Sequence, residues 1–389
     1  MQICMINEAK NQIKNYFHKN RWNSAPAPTN NVYFYKNRDP NEVKQGDFLG
    51  YSKKKKLVDL LDVSNHLGET FSSQGYIHTS TNEIIRPKNS TTFFITSGIQ
   101  HYESEIFKGC IPNSDPKFFM QPVIRTNYRK GVGEGNVSSF INPSTIRFNS
   151  TPDKYLEDLD RWLDSLSKAG LYLGDFVFTL SPRNPDLTSK NPWEKNRGFA
   201  LYCSYGGLEL GDAGYFAILN HDDKPFSDIG FGLERITWAI NKNPSFREVV
   251  GIYPNAFSQD IKTIDSLRTI PLIASSGIES NSDADNQFKK YMFQLGNLDN
   301  EVQQQLGTYY DFWNNFISPK ISKEKTLAYL SGRLNEIANG RLLKDIDSSK
   351  IPKTLQKSIK KSRDLFIRDL IKFNPQFLEK IREYYQTNE

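Results

Sequence analysis

The spacing of apolar residues changes near residue 255, and this change limits the folds open to the chain more than any other feature. Before that point, short aromatic and β-branched runs such as 93–96 and 176–180 stand near glycine or proline, which is typical of buried strands. After it, apolar residues recur at helical spacing, as Phe366, Leu370 and Phe373 do. Strands followed by helices predict an α+β domain with an all-helical domain after it.

Composition and charge divide the 389 residues into three segments. Residues 1–50 mix Asn, Pro and Lys without clear periodicity, and we interpret them as an N-terminal extension. Residues 51–250 are predicted to form the domain that carries the chemistry, and residues 251–389 a helical, basic C-terminal domain. Within the latter, residues 318–389 hold 16 Lys and Arg against 9 Asp and Glu. This excess favours a polyanionic partner, although a solvated helical surface explains it equally well.

Cysteine, histidine and hydropathy patterns exclude several classes of protein. The three cysteines are far apart, and the five histidines form no HxxH or HExxH pair. The sequence therefore predicts neither a disulfide framework, nor a structural zinc site, nor a metallohydrolase. No stretch approaches the roughly 20 apolar residues of a membrane helix, and the N-terminus lacks the apolar core of a secretion signal. We expect a cytoplasmic protein with no membrane partner.

One helix is especially well signalled. Thr151 can cap it, Pro152 suits its first position, and Gly170 can end it. Between them, apolar residues recur at i, i+4, i+7, i+8 and i+11 from Tyr155 onward. This pattern predicts a helix that packs one face onto the sheet.

The strongest chemical signal is the segment PFSDIGFGLERI at residues 225–236. Gly230 and Gly232 stand directly before an apolar helix, so the backbone there can come close to a ligand. Arg235 lies in the first helical turn, where phosphate is favoured. These features predict an anion-binding site, and by themselves they fit a strand-to-helix turn with a surface arginine equally well.

This segment resembles the third signature motif of class II aminoacyl-tRNA synthetases, in the form that alanyl-tRNA synthetases carry. Residues 93–102 (FFITSGIQHY), followed by 106–109 (IFKG), resemble a segment near the N-terminus of the alanyl enzymes, with its Thr-x-x-Gly-Met core and downstream Phe-x-Gly. The resemblance covers about residues 55–245. It implies a class II antiparallel β-sheet flanked by helices, and the all-helical C-terminal domain follows it.

Between these two segments, Arg125 and Phe140 stand on strand-like runs joined by a basic, glycine-bearing loop, which resembles the second class II motif. The resemblance implies that Arg125 contacts the ATP α-phosphate and the amino-acid carboxylate, and that Phe140 stacks on adenine. It implies that Arg235 contacts the other face of adenine and the γ-phosphate, with Gly230 and Gly232 beside the ATP. Taken alone, Arg125 could form a structural ion pair and Phe140 could belong to the core.

Three carboxylates complete the implied site. Asp228 matches the family aspartate that pairs with the α-ammonium group of alanine. The alternative role for Asp228 is to cap the turn that follows it. Glu209 stands where many class II enzymes have an acidic ligand for the Mg²⁺ that accompanies ATP. Asp212 could bind the ion instead, or neither residue could bind it. When a carboxylate attacks the α-phosphate of ATP, guanidinium groups and a divalent metal position the reactants and stabilise the developing charge, so no side chain has to act as a nucleophile. This agrees with the lack of a Ser-His-Asp or Cys-His pattern.

The resemblance therefore implies a ligase of protein biosynthesis that uses ATP and Mg²⁺ to activate a small amino acid, alanine first, as an aminoacyl adenylate. The implied acceptor is tRNA, bound through the basic C-terminal helices. Residues 138–144 lack the His-His pair and the glutamate of ordinary alanyl enzymes, with Asn142 near the glutamate position, and the histidine positions predict no editing domain. Two alternatives stay open: a specialised paralogue that loads a carrier protein or small molecule, and a non-catalytic RNA-binding or regulatory module. The amino acid and the oligomeric state are also open.

Overall fold

The computed structural model describes residues 2–345 apart from nine short gaps, at 52–57, 80–82, 89, 110–114, 190–191, 219–223, 254–255, 279–282 and 296–298. The basic stretch from residue 346 onward, including the predicted helix around Phe366, lies outside the described residues. Within the described part, no helix is long and apolar enough to cross a lipid bilayer.

The described strands form one nine-stranded sheet in the order β1-β2-β6-β7-β8-β9-β5-β4-β3. The pair β3–β4 is parallel, and the other described pairs are antiparallel. The strand bounds are β1 Asn23–Ala27, β2 Asn31–Tyr35, β3 Ile77–Thr79, β4 Lys117–Ile124, β5 Ser139–Phe148, β6 Phe176–Arg183, β7 Asn196–Tyr205, β8 Leu208–Ile218 and β9 Phe226–Phe231. This architecture confirms the α+β class with an antiparallel sheet.

The α-helices lie before, between and after these strands. Their bounds are α1 Gln2–Lys19, α2 Leu60–Ser73, α3 Glu103–Phe107, α4 Pro152–Ala169, α5 Leu233–Asn241, α6 Arg247–Val250, α7 Ile261–Ser275, α8 Asp283–Leu295, α9 Asn300–Trp313 and α10 Lys323–Asp345. From α7 onward the described elements are all helical.

Helix α4 begins and ends where the sequence predicts. The Thr151 hydroxyl accepts a hydrogen bond from the Lys154 N–H at 3.3 Å, Pro152 is the first helical residue, and Gly170 follows the last turn at φ +120°. On the buried face of the helix, the Trp162 ring lies 4.6 Å from that of Phe231 in β9. The helix therefore packs one face onto the sheet, as predicted.

The first 35 residues are part of the sheet domain, which their sequence does not indicate. Strands β1 and β2 extend the sheet beyond β6, and α1 packs against α4, where the Tyr16 hydroxyl donates to Asp160 at 2.6 Å. The Phe17 ring of α1 stacks on Phe34 of β2 at 4.4 Å between centroids. Burial of these aromatic rings joins the segment interpreted as an extension to the sheet.

The chain divides into two compact units. The first comprises residues 1–265 together with 313–318 and contains the sheet. The second comprises residues 266–312 and the chain from 319 onward, and its described part is helical. Inside the second unit, Asp285 forms buried ion pairs with Arg333 at 3.1 Å and Lys289 at 2.7 Å.

Candidate active site

Four neighbouring strands and one helix bring the predicted residues together. In the sheet, β8 lies beside β9, β9 beside β5 and β5 beside β4, and α5 begins directly after β9. They border a cavity of about 390 Å³. Its lining includes every residue singled out from the sequence: Arg125, Phe140, Glu209, Asp212, Asp228, Gly230, Gly232 and Arg235. One cavity therefore contains the two predicted arginines and the three predicted carboxylates.

Arg125 is held in place by neutral partners. It follows β4, its Nε donates to the Thr96 carbonyl oxygen at 3.1 Å, and its Nη1 donates to the Tyr128 hydroxyl at 3.0 Å. The guanidinium carbon lies 5.0 Å from the centroid of the Phe140 ring. Among the residues that the structure describes, no carboxylate lies within ion-pair distance of Arg125. Its positive charge is therefore oriented but not neutralised, as an anion site requires.

Phe140 and Tyr128 form an aromatic pair at this end of the cavity. Their rings are nearly parallel, with an interplanar angle of 13° and centroids 6.3 Å apart. Phe140 lines the cavity and is half-buried, so it is not a fully buried core residue. Sequence reasoning missed Tyr128, although an aromatic residue three positions after the arginine was a visible signal. Such a pair presents flat apolar surface to a planar ring.

Arg235 lines the same cavity and forms three hydrogen bonds. Its guanidinium group donates to the Gly135 carbonyl at 2.7 Å, to the Glu209 carbonyl at 2.8 Å and to Asn136 Oδ1 at 2.6 Å. Gly135 and Asn136 belong to the loop between β4 and β5, and Glu209 belongs to β8. Arg235 therefore joins that loop to β8 and keeps a cationic, planar group at the cavity wall.

Gly230 gives the backbone of β9 its close approach to β5. A Cβ atom at this position would lie 3.0 Å from the side-chain nitrogen of Asn142, which itself donates to the Phe231 carbonyl at 2.9 Å. Gly232 caps α5 in an extended conformation. A side chain at residue 230 would therefore displace Asn142 and narrow the cavity.

Glu234 is a buried support for the site that the sequence did not single out. Glu234 is only 1% exposed. Both oxygens of its carboxylate accept a hydrogen bond from the Ile141 N–H, at 3.2 and 3.1 Å. It thereby joins the start of α5 to β5 beside Phe140. In the sequence, the signal for this supporting role is that Glu234 directly precedes Arg235.

Replacing Glu234 with alanine should lower the free energy of unfolding by roughly 2–4 kcal/mol, because a buried N–H loses its charged acceptor. Urea denaturation followed by tryptophan fluorescence measures the change. The exposed Glu105 provides a control, because its replacement by alanine should change the free energy by less than about 0.5 kcal/mol. Equal denaturation midpoints for the two variants would contradict the supporting role.

A β-bulge turns Glu209 and Asp212 toward the same cavity. Residues three apart on a regular strand face opposite sides of a sheet. In β8, however, Glu209 pairs with Ser204 whereas Gly211 pairs with Cys203, so Leu210 is an extra residue. Both carboxylates line the cavity as a result. Glu209 is the more exposed, with 53% of its side chain accessible, and lies 3.7 Å from an Arg235 nitrogen.

Asp212 and Asp228 line the cavity and form no ion pair with any residue that the structure describes. Burial raises the pKa of Asp228 to about 7, with a further increase from the negative charge of Asp212 and an opposing effect of Arg125. Burial also raises the pKa of Asp212 to about 6, which Arg125 opposes and Glu209 reinforces. No hydrogen bond to either carboxylate is found within the described part of the chain. A bound cation would relieve both charges.

The raised pKa of Asp228 predicts how stability depends on pH. Between pH 3.8 and about 7, the folded protein binds the proton that the unfolded chain has already lost, so the free energy of unfolding falls as pH rises through this range and is level above it. Asp228→Asn removes this titration. We expect the variant to gain roughly 2–4 kcal/mol relative to the parent between pH 4 and pH 8.

Urea denaturation of the parent and Asp228→Asn at both pH values, without nucleotide or metal, measures this difference. Asp186→Asn is a matched control, because Asp186 is an exposed carboxylate away from the cavity. A stability difference between parent and Asp228→Asn that is the same at pH 4 and pH 8 would contradict the raised pKa.

The lining of the cavity also includes residues that sequence reasoning did not find, among them Thr92, Arg183, Trp193 and Asn196. Arg183 ends β6 and its guanidinium carbon lies 5.4 Å from the Phe216 ring centroid. Trp193 and Asn196 precede or begin β7. None lies in a motif, and for Arg183 and Asn196 the pairing of β6 with β7 brings the residue to the cavity.

An antiparallel sheet, an arginine after one strand of a hairpin and a Gly-x-Gly-Leu-Glu-Arg helix start meet at one cavity, and this combination is similar to the catalytic domain of class II aminoacyl-tRNA synthetases. In sequence, the chain is similar to alanine–tRNA ligases. It is 30% identical over 178 residues to that of Methanocorpusculum labreanum, which covers 40% of this chain and 18% of the relative. It is 24% identical over 196 residues to that of Saccharolobus islandicus, which covers 46% and 21%.

The chain spans about a fifth of the length of these curated relatives. No family model matches it. Among solved structures, two of pyrrolysyl-tRNA synthetase from Desulfitobacterium hafniense are 15% identical, with TM-scores of 0.36 and 0.35, and each comparison covers 49% of this chain and 72% of the other.

Proposed function

We propose that this chain activates an amino acid with ATP and transfers the acyl group to an acceptor. An oxygen of the amino-acid carboxylate attacks the α-phosphorus, the bond to the β-phosphate oxygen breaks, and pyrophosphate leaves with the aminoacyl adenylate formed. The observation that carries the proposal is that Arg125 and Arg235, 110 residues apart in sequence, line one cavity together with Asp228. A fold without this chemistry has no need for that convergence.

Each group has a role that its surroundings support. Arg125 stabilises the negative charge that develops on the α-phosphate oxygens and holds the attacking carboxylate, because its guanidinium group is oriented without a carboxylate partner. Adenine lies between Phe140 and Arg235, whose planar groups both line the cavity. No side chain has to act as a nucleophile.

A magnesium ion suits the remaining acidic groups. Mg²⁺ is bound by one or two carboxylates and by substrate phosphates, and the bulge in β8 directs Glu209 and Asp212 to the cavity. Within the described residues, no group of three or more His, Cys, Asp or Glu side chains could hold a metal ion, which agrees with a site completed by ATP. The ion would neutralise charge on the phosphates.

Asp228 binds the α-ammonium group of the amino acid. Its carboxylate has no hydrogen-bond partner in the described part of the chain, and burial raises its pKa to about 7. A nearby ammonium group would lower that pKa and keep the carboxylate ionised. Such a contact orients the substrate and rejects carboxylic acids without the amine. Alanine is the amino acid that the likeness in sequence favours, and it is the reference substrate for any assay.

For the acceptor, tRNA is the first candidate because the curated relatives are alanine–tRNA ligases and because the C-terminal residues are basic. Binding through those residues should weaken steeply with salt. Loading of a carrier protein or a small molecule is the second candidate, because an enzyme of this type needs only a nucleophilic acceptor at the adenylate.

ATP–pyrophosphate exchange with each of the common amino acids tests the activation step. Exchange with at least one of them supports the proposal. Exchange with none, although RNA is bound, would contradict it and favour an RNA-binding or regulatory module. Adding bulk tRNA then tests the acceptor, because exchange without aminoacylation would point to another one.

A further inference from the structure

The backbone oxygen that orients Arg125 belongs to Thr96, in a segment that runs beside the end of β4. The Ile124 N–H of that strand donates to the Ile95 carbonyl oxygen at 2.8 Å. The next carbonyl oxygen, that of Thr96, accepts a hydrogen bond from Arg125 Nε at 3.1 Å. The direction of the Arg125 guanidinium group therefore depends on how firmly the backbone at Thr96 is held.

Gln100 holds that backbone through both ends of its side-chain amide. Its Oε1 accepts a hydrogen bond from the Thr96 N–H at 2.6 Å, and because a backbone N–H can only donate, this contact fixes which way the amide faces. Its Nε2 donates to the Thr92 hydroxyl at 3.2 Å, and that hydroxyl donates to the Phe94 carbonyl oxygen at 2.7 Å. One side chain therefore joins residues 92 and 96.

Gln100 is itself fixed by buried neighbours. The residue is 5% exposed and belongs to the short 3-10 helix Gly98–Tyr102. Its carbonyl oxygen accepts a hydrogen bond from Arg86 Nη1 at 2.6 Å, and Arg86 forms an ion pair with Glu103 at 3.1 Å. A buried ion pair thus holds the main chain of Gln100 while its side chain holds Thr96.

The contacts of Gln100 suit a supporting role better than binding of substrate. Gln100, Thr96 and Arg125 all line the cavity, but the oxygen and the nitrogen of the Gln100 amide each have a protein partner. The second acceptor for Arg125 is the Tyr128 hydroxyl, on a flexible side chain. The Thr96 oxygen moves only with the backbone that Gln100 holds, so it gives Arg125 the more rigid contact.

From these contacts we infer that Gln100 is a positioning residue for Arg125. Gln100 fixes Thr96, and Thr96 directs the guanidinium group toward the α-phosphate before substrate binds. The inference rests on the proposed function and adds to it a residue that acts through the protein. A misdirected Arg125 still attracts ATP by its charge but stabilises the developing charge less well, so the loss of Gln100 should slow the chemical step rather than weaken the binding of ATP.

Replacing Gln100 with methionine tests the inference in ATP–pyrophosphate exchange. Methionine has nearly the same length but offers no comparable acceptor to the Thr96 N–H. With the amino acid that gives the fastest exchange, we expect kcat to fall about tenfold or more and the KM for ATP to stay within about threefold. Gln305→Met is a matched control, because Gln305 is also buried but does not line the cavity. Its kcat should stay within about twofold of the parent.

A double-mutant cycle with Arg125→Ala separates positioning from a general loss of structure. Without the arginine there is no guanidinium group to orient, so Gln100→Met should then lower kcat by less than about twofold. If Gln100→Met lacks a native circular dichroism spectrum, Gln100→Asn takes its place with the same expected results, because its amide is one methylene further from Thr96.

Three results would overturn the inference and leave the proposed function standing. They are a kcat within about twofold of the parent, a loss that appears in the KM for ATP instead of kcat, and an equal loss of kcat with and without Arg125. Exchange by the parent with no amino acid would overturn both.

Discussion

Replacing Arg125 with alanine should lower kcat/KM for ATP–pyrophosphate exchange by about 10³-fold. The reaction places charge on the α-phosphate oxygens, and removal of one preorganised donor to developing charge typically lowers the rate by 10²–10³, with larger effects for arginines in phosphoryl transfer. The hydrogen bonds to Thr96 and Tyr128 orient this guanidinium group before substrate binds. The loss should therefore be in kcat more than in the KM for ATP.

Two further variants separate charge from geometry. Arg125→Lys retains a positive charge but cannot reach both neutral partners, so it should recover only part of the lost rate. Arg161→Ala removes an arginine of α4 that pairs with Glu157 and is not among the residues lining the cavity, and it should leave exchange unchanged. Near-normal exchange by Arg125→Ala, with a native circular dichroism spectrum, would remove Arg125 from the mechanism.

Arg235→Ala should raise the KM for ATP by about 10²-fold or more, with a smaller decrease in kcat. This side chain joins the loop between β4 and β5 to β8 through Gly135, Asn136 and Glu209. Its loss removes a planar cation from the nucleotide end of the cavity and frees the loop that follows Arg125. Both effects weaken binding before the chemical step.

Arg235→Lys is the informative comparison, because lysine keeps the charge but cannot donate to three acceptors in one plane. It should resemble Arg235→Ala. Steady-state exchange at varied ATP, with the amino acid saturating, measures the effect. A variant in which the KM for the amino acid rises while that for ATP is unchanged would place Arg235 outside the nucleotide site.

Local signals predicted the elements that depend on nearby residues. Thr151, Pro152 and Gly170 delimit α4 because helix ends are satisfied by residues within one turn. The same kind of signal could not show that residues 1–35 join the sheet. The burial of Phe17 against Phe34 depends on strands that pair far along the chain, and such contacts leave no local pattern.

At the candidate site, the sequence indicated the groups but not their arrangement. Arg125, Asp228 and Arg235 were found through motifs, and their common cavity is a finding of the structure. Glu209 and Asp212 are three residues apart, a spacing that a regular strand would direct to opposite faces. The extra residue Leu210 reverses that expectation, and a one-residue bulge cannot be read from a single sequence.

By itself, the sequence determined the α+β class, the limits of α4 and the kinds of chemical group available, because periodicity, capping and residue type act over a few neighbouring residues. Only the tertiary structure decided which groups share a cavity, that the first strands extend the sheet, and that a bulge in β8 turns Glu209 and Asp212 to the same side. The physical reason is that the direction of a side chain on a sheet depends on register, and register is set by hydrogen bonds between strands distant in sequence.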